Sequence, residues 1–285
     1  MKSRFERIGF FIVSKKKIIV NKKELIAGVL LALVVAVLVV VGWMPWVNMI
    51  GLAGVVCLAM FFRKETLNRW IKVGVFLLLV PLVFFVATYR PEGFAYPLLL
   101  SLTNETGSEP RFEMFVNFSK LLVGLCLLFL LWPRLRNCEF VASPSWQFLI
   151  ALLAPALIVA IAIPVLGLRF QPKAIEHMLL FTLVNLFVIA LAEEAFMRLL
   201  LQQTLRNAVA GMTTNHRVQE LLPLLLVTVI FVAIHVGLSG AAIWIYALAG
   251  FLYGLSYTLS KNILYPITIH FLVNQIHFSL LTYPL

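Results

Sequence analysis

Long runs of apolar residues recur along this chain and constrain its fold more than any other feature. Several of them reach about 20 residues, the length that an α-helix needs to cross a lipid bilayer. Hydrophobic residue types make up 62% of the 285 residues, and the mean hydropathy is +1.01. Charged residues make up 12%, against roughly 25% in soluble domains. The sequence therefore predicts an all-α, polytopic integral membrane protein.

The hydropathy pattern divides the chain into about nine transmembrane helices, with eight as the lower estimate. The candidate spans are 25–43, 46–62, 71–89, 119–132, 148–166, 178–205, 221–238, 241–259 and 263–283. Lysine and arginine are concentrated in alternate connecting segments, and Lys120 lies at the boundary of a span. Under the positive-inside rule, this bias predicts a multi-pass protein of the plasma (inner) membrane, with a cytoplasmic N-terminus and the C-terminus outside.

The net charge of +11 raises the question of a nucleic-acid partner. However, the positive charges lie in short segments between apolar runs, where they suit the anionic surface of a lipid bilayer. We therefore expect the bilayer to be a partner and nucleic acid not to be one. Residues 1–24 are predicted to form a basic cytoplasmic segment, and residues 25–145 form transmembrane helices of unassigned role.

One span contains three ionisable side chains within an apolar run. In "LAEEAFMRLLLQQTLR", residues 191–206, these are Glu193, Glu194 and Arg198. An isolated charge at the bilayer centre costs about 2.5–3.5 kcal/mol on insertion scales, so these groups need partners. Glu194 and Arg198 are four residues apart, share a helix face and are predicted to pair. Glu193 is rotated by about 100° from Glu194 and must face another polar group.

Later spans supply polar side chains at a similar depth. "FVAIH" ends in His235, and "HFLVN" places His270 and Asn274 on one helix face. At about 1.5 Å per residue, Glu193 and His235 lie about 20 Å from the inner boundary, and the other two lie about 12–18 Å from it. The sequence thus predicts that residues in the part of the chain after Pro144 form one polar cavity. Intramembrane polar groups also serve as structural hydrogen bonds between helices, or as proton relays in transporters.

Three short motifs, in this order, resemble the CPBP family, the CAAX-processing and bacteriocin-processing membrane proteases that are also called Abi. "EEAFMR" matches its E-E-x-x-x-R motif, "FVAIH" its F-x-x-x-H motif and "HFLVN" its H-x-x-x-N motif. The resemblance covers about residues 178–280 and includes the type II CAAX prenyl endopeptidases. It implies a CPBP-type helical core in the C-terminal half, so residues 146–285 are predicted to be a CPBP-like intramembrane protease core.

The resemblance implies an intramembrane endopeptidase that hydrolyses a peptide bond of a membrane-associated protein or peptide. Its catalytic residues would be Glu193, His235, His270 and Asn274. Glu193 would activate water as the general base with the help of His235, and the other two side chains would stabilise the oxyanion. The substrate would be CAAX-like, a leader peptide or a C-terminal sorting anchor.

The resemblance also implies supporting roles for two further residues. Glu194 and Arg198 would hold the helix of the first motif, and no cofactor is expected. In an alternative reading, Glu193, His235 and His270 are ligands of Zn²⁺. Three protein ligands with an open fourth position are ordinary for catalytic zinc.

Two other functions are alternatives. The protein could be a non-catalytic membrane scaffold or a bacteriocin-immunity protein of the same family. "GLSG", residues 237–240, also matches the nucleophile motif of rhomboid-like serine proteases, with Ser239 as the nucleophile. We favour a turn for that segment, because glycine and serine are common turn residues and the carboxylates would have no role in a Ser–His dyad.

Overall fold

The computed structural model describes residues 22–103, 110–132, 143–235, 237 and 240–283, and it is mostly helical (77%). Its elements are α1 (Lys22–Val40), α2 (Trp46–Phe62), α3 (Arg69–Thr88), β1 (Leu98–Thr103), β2 (Pro110–Phe115), α4 (Phe118–Leu131), α5 (Pro144–Leu166), α6 (Ile175–Val184), α7 (Leu191–Glu194), α8 (Gln203–Ala210), α9 (His216–Ile234), α10 (Ala242–Ser260) and α11 (Leu264–Leu280). Ser239 and most of the predicted basic segment, residues 1–21, lie outside the described residues.

The helical structure confirms the main feature of the predicted fold, and each predicted span overlaps a helix. By length and composition, five helical stretches among the described residues could cross a membrane. They are Arg69–Thr88, Ser145–Leu166, Ile175–Ala210, His216–Ile234 and Ala242–Ser260. Shorter apolar helices are found at Ile26–Val40, Trp46–Phe62 and Phe118–Leu131. The predicted number of nine transmembrane helices is therefore not confirmed.

The antiparallel hairpin of β1 and β2 departs from the all-α prediction. Its register pairs Leu100 with Met114. An isolated two-stranded hairpin is only marginally stable in water. Here Leu100 and Met114 are buried in one apolar cluster with Phe181 and Phe278, which lie on α6 and α11. Tertiary packing therefore stabilises the strands, and the local sequence alone does not reveal them.

Ile175–Ala210 forms one continuous helical stretch, which we call the motif helix. Its central turn, α7, carries Glu193 and Glu194 and lies between two π-helical stretches, Asn185–Ala190 and Ala195–Gln202. Widened π turns occur frequently at functional sites. Each π turn holds one residue more than an α-helical turn. The two stretches therefore rotate the side chains that come before and after the two glutamates to a different face of the helix.

The motif helix lies between two apolar clusters. The first cluster joins it to α2, α3 and α4, through residues such as Leu79, Leu127, Ala195 and Leu200. The second joins it to α5, α9, α10 and α11, through Ile158, Met197, Leu201, Phe231, Tyr253 and Ile269. The motif helix therefore packs against the N-terminal helices on one side and against the helices that carry the other two motifs on the other side.

α4 approaches the motif helix very closely. A Cβ atom added at Gly124 would lie 2.5 Å from Ala192 Cα, so a side chain at this position would clash with backbone. Lys120 is four residues before Gly124 and lies on the same face of α4. The close approach therefore places Lys120 beside the turn that carries Glu193.

Candidate active site

A cavity of about 400 Å³ lies where the motif helix meets α5, α9, α10 and α11. Glu193, His235, His270 and Asn274 all line it. Much of the remaining wall is apolar or aromatic and includes Ile158, Ala162, Phe231, Ile245, Tyr246 and Tyr253. The structure thus brings together the four side chains that were predicted to be catalytic. A few polar groups converging in a mostly apolar cavity are typical of a small-molecule or substrate site.

Glu194 and Arg198 form the predicted ion pair. Arg198 Nε donates to Glu194 Oε2 at 2.7 Å, and both side chains have 0% exposure. Arg198 also donates to Gln202 Oε1 at 3.0 Å and to the carbonyl of Gly250 at 3.4 Å. Buried ion pairs need such additional hydrogen bonds to offset the cost of removing both charges from water. The pair therefore ties the motif helix to α10.

His270 links the first motif to the third. Its Nδ1 lies 2.8 Å from Glu194 Oε1 and donates to that carboxylate. The ring stacks on Tyr253, with 4.8 Å between the ring centroids. Its other nitrogen, Nε2, lies 3.9 Å from Glu193 Oε2. The imidazole is therefore fixed at one nitrogen and turns the other towards Glu193.

The position of His235 gives a physical reason for the F-x-x-x-H spacing. α9 ends at Ile234, and His235 Nδ1 donates to the carbonyl of Phe231 at 2.6 Å. That carbonyl is one of those that a helix end leaves without a backbone partner. The ring packs against Phe231 and Tyr246. Because Nδ1 carries the hydrogen, Nε2 of the neutral ring is an acceptor.

Asn274 is held by a residue that the sequence reading did not single out. Its Nδ2 donates to Asn185 Oδ1 at 3.2 Å. Asn185 is buried in the first π-helical stretch and donates to the carbonyl of Phe271 at 2.9 Å. An amide nitrogen has two hydrogens, so Asn274 can give one to Asn185 and direct the other elsewhere. Asn185 is an uncharged polar residue in an apolar run, and that was the signal available for it.

The family comparison matches the same part of the chain. Residues 175–276 match the family model of the Rce1-like type II CAAX prenyl endopeptidases. The family resemblance is thereby confirmed for this region, which we call the Rce1-like region. The family is one of proteases, which supports an enzymatic function. Comparison with curated proteins and with solved structures gives no match.

Lys120 contributes to the site from outside the Rce1-like region. Its Nζ donates to Glu193 Oε1 at 2.6 Å, with 26% of the lysine side chain and 18% of the glutamate side chain exposed. The sequence indicates that Glu193 needs a polar partner but does not identify it. A single lysine in the first turn of an otherwise apolar helix was the available signal. α4, in the N-terminal part of the chain, thus supplies the direct partner of Glu193.

The zinc alternative requires Glu193, His235 and His270 to converge on one point. Within the part of the chain that the structure describes, no group of three or more His, Cys, Asp or Glu side chains is arranged to hold a metal ion. One oxygen of Glu193 contacts the ammonium group of Lys120 instead. The other oxygen of Glu193, Oε2, lies 3.9 Å from His270 Nε2, and zinc stays an alternative that a chelation experiment tests.

Proposed function

We propose that this protein is an intramembrane endopeptidase that hydrolyses a peptide bond of a membrane-associated protein or peptide with water activated by Glu193. The observation that carries the proposal is the cavity lined by Glu193, His235, His270 and Asn274 inside an apolar helical bundle. A scaffold would not require a base, histidines and an amide donor to converge on one cavity. The family match supports protease chemistry for the same residues.

In the first step, water attacks the scissile carbonyl carbon. Glu193 takes one proton from the water, and His235 Nε2 accepts a hydrogen bond from the other hydrogen. The backbone carbonyl of Phe231 holds His235 in the tautomer that makes Nε2 an acceptor. The carbonyl oxygen then becomes an oxyanion.

His270 and Asn274 are the proposed donors to this oxyanion. His270 Nδ1 already donates to Glu194, so a donor at Nε2 means that the ring acts as an imidazolium, with hydrogen on both nitrogens. Asn274 donates the hydrogen that Asn185 does not use. A well-placed oxyanion donor is worth about 2.7–4 kcal/mol. When the intermediate collapses, the C–N bond breaks and Glu193 returns its proton to the leaving amine.

The substrate must reach this cavity from the bilayer. The matched family is that of the type II CAAX prenyl endopeptidases, so a prenylated CAAX peptide is the first substrate class to test. Leader peptides and C-terminal sorting anchors are the other classes that we propose. The setting is the plasma membrane with the N-terminus in the cytoplasm, and the mechanism uses no cofactor.

The test uses purified protein in liposomes and a farnesylated CAAX peptide that carries a fluorophore and a quencher. Wild-type protein is expected to cleave it, and Glu193→Gln is expected to lose at least about 10²-fold in rate while still inserting and purifying. Ser239→Ala, which changes the alternative serine nucleophile, is the matched control and should keep full activity.

Three results would contradict the proposal. If Glu193→Gln cleaves as fast as wild type, Glu193 is not the base. The second experiment compares the membrane proteomes of cells with and without the active protein. If wild-type protein cleaves neither the peptide nor any protein in that comparison, the scaffold alternative is correct. Covalent labelling of Ser239 by a fluorophosphonate would instead support the serine protease.

A further inference from the structure

The carboxylate of Glu193 divides its two oxygens between different neighbours. Oε1 accepts a hydrogen bond from Lys120 Nζ at 2.6 Å, whereas Oε2 lies on the side of His270, 3.9 Å from Nε2. A carboxylate that is free to rotate would exchange the two oxygens. An ammonium group bound to one of them fixes the plane of the carboxylate, so that the other oxygen faces the cavity that His270 lines.

The N-terminal helices hold Lys120 in place through its own turn of α4. Asn117 caps α4, because its Oδ1 accepts from the backbone N–H of Lys120 at 2.9 Å. Its Nδ2 donates to the carbonyl of Ala87 on α3 at 2.9 Å. Ser119, in the same turn, accepts from buried Asn48 of α2 at 2.9 Å. The first turn of α4 is therefore anchored to both α2 and α3.

Gly124 sets how close this turn comes to Glu193. Its lack of a side chain allows α4 to contact Ala192 directly. Because Lys120 lies one turn before Gly124, a wider spacing between the helices would pull the ammonium group away from the carboxylate. The short ion pair thus depends on a backbone contact between α4 and the motif helix.

A second cavity, of about 430 Å³, lies on the Lys120 side of the site. Glu193 and His235 line both cavities, whereas His270 and Asn274 line only the first. Lys120 lines the second cavity together with Phe84 and other side chains of α3 and α4. Glu193 and His235 therefore lie between the two cavities, and Lys120 contacts Glu193 from the side of the second cavity.

From this arrangement we propose that Lys120 is a positioning residue, which orients the Glu193 carboxylate for water activation. The proposal rests on the proposed peptidase function. It assigns a role to the N-terminal helices, since α2 and α3 anchor the turn of α4 that carries Lys120. Lys120 acts through Glu193 and does not itself touch the reacting atoms.

The test compares Lys120→Met with Lys120→Arg in the liposome assay with the farnesylated CAAX peptide. A misplaced catalytic group costs up to about 10²-fold, so Lys120→Met should lower kcat by about 10–10²-fold with KM nearly unchanged. Lys120→Arg keeps a cation and should recover most of the lost rate. Lys64→Met removes an exposed lysine near α2 and serves as the matched control, with expected wild-type kcat.

A thermal-stability cycle tests the contact without any need for activity. The Tm changes of Lys120→Met, Glu193→Gln and the double variant should be non-additive, because the two side chains are in direct contact. This result is expected even if the protein cleaves no peptide, so a failure of the proposed function is distinguishable from a failure of the ion pair.

Three outcomes would overturn the positioning role. Lys120→Met could keep kcat within about threefold of wild type, Lys120→Arg could be as impaired as Lys120→Met, or the Tm changes could be additive. If Lys120→Met does not fold, adding Glu193→Gln should restore folding by removing the stranded charge. A double variant that also fails to fold would show that Lys120 acts independently of Glu193.

Discussion

His270 and Glu194 are directly hydrogen-bonded, with Nδ1 of the imidazole 2.8 Å from Oε1 of the carboxylate. The other oxygen of Glu194 accepts from Arg198. One buried carboxylate thus connects the arginine of the first motif to the histidine of the third. A change at Arg198 is therefore expected to affect both the stability of the helix packing and the orientation of the proposed oxyanion donor.

Arg198→Ala should destabilise the folded protein. Removal of one partner of a buried ion pair leaves the other charge unpaired and costs about 3–5 kcal/mol. The measurement is the yield and thermal stability of purified protein, with Arg217→Ala as the control because Arg217 is exposed. Equal stability of the two variants would mean that the Glu194–Arg198 pair contributes nothing measurable.

Gly254→Ala should destabilise the contact between α10 and the motif helix. A Cβ atom at this position would lie 2.5 Å from Leu224 Cδ1 and 2.8 Å from Arg198 Nη1. Both of those side chains are fully buried, so either would have to shift within the packed interior. Overpacking of this kind costs about 1–3 kcal/mol.

Gly74→Ala is the matched control for this substitution. Gly74 lies in α3, and a Cβ atom added there would have no neighbour within 4 Å. Thermal unfolding should therefore show a lower Tm for Gly254→Ala and no loss for Gly74→Ala. A Tm for Gly254→Ala that equals wild type would contradict the close packing of α10 on Arg198.

Asn274→Ala should impair the chemical step rather than substrate binding. Loss of an oxyanion donor lowers kcat by about 10²–10³-fold with little change in KM. Asn274→Asp keeps the shape of the side chain but removes its N–H donors, so it should be at least as impaired. Steady-state kinetics with the CAAX peptide measures both constants, and an effect on KM alone would assign Asn274 to binding.

Chelation should leave activity intact. Lys120 binds one oxygen of Glu193, and the proposed mechanism uses this carboxylate as a base and not as a metal ligand. Purified protein is therefore expected to contain no stoichiometric zinc and to cleave substrate after treatment with a strong chelator. If chelation abolishes cleavage and added zinc restores it, Glu193, His235 and His270 are metal ligands and our assignment of the base is wrong.

The parts of the site that lie within one helix were predictable from the sequence. Helix geometry brings residues four apart together, which gave the Glu194–Arg198 pair and the shared face of His270 and Asn274. The grouping of Glu193 with His235 followed from their depth in apolar runs. The structure brings Glu193, His235, His270 and Asn274 to one cavity, whereas Glu194 and Arg198 do not line it.

The contacts between distant segments were not predictable in the same way. Lys120 and Glu193 are 73 residues apart, and Asn185 and Asn274 are 89 apart. Apolar runs show that helices pack but do not specify which faces meet, since many apolar faces can be buried equally well. The hairpin of β1 and β2 was missed for a related reason, because its stability comes from packing against α6 and α11.

The sequence by itself determined the long apolar helices of this protein, the three motifs and the Glu194–Arg198 pair, because those features depend on hydropathy and on the local geometry of a helix. The tertiary structure alone decided which partner Glu193 has. The contact of Gly124 with Ala192 brings α4 against the motif helix, and this approach places Lys120 on one oxygen of Glu193. Such a contact depends on the fit of two helix surfaces, which no single segment of the sequence contains.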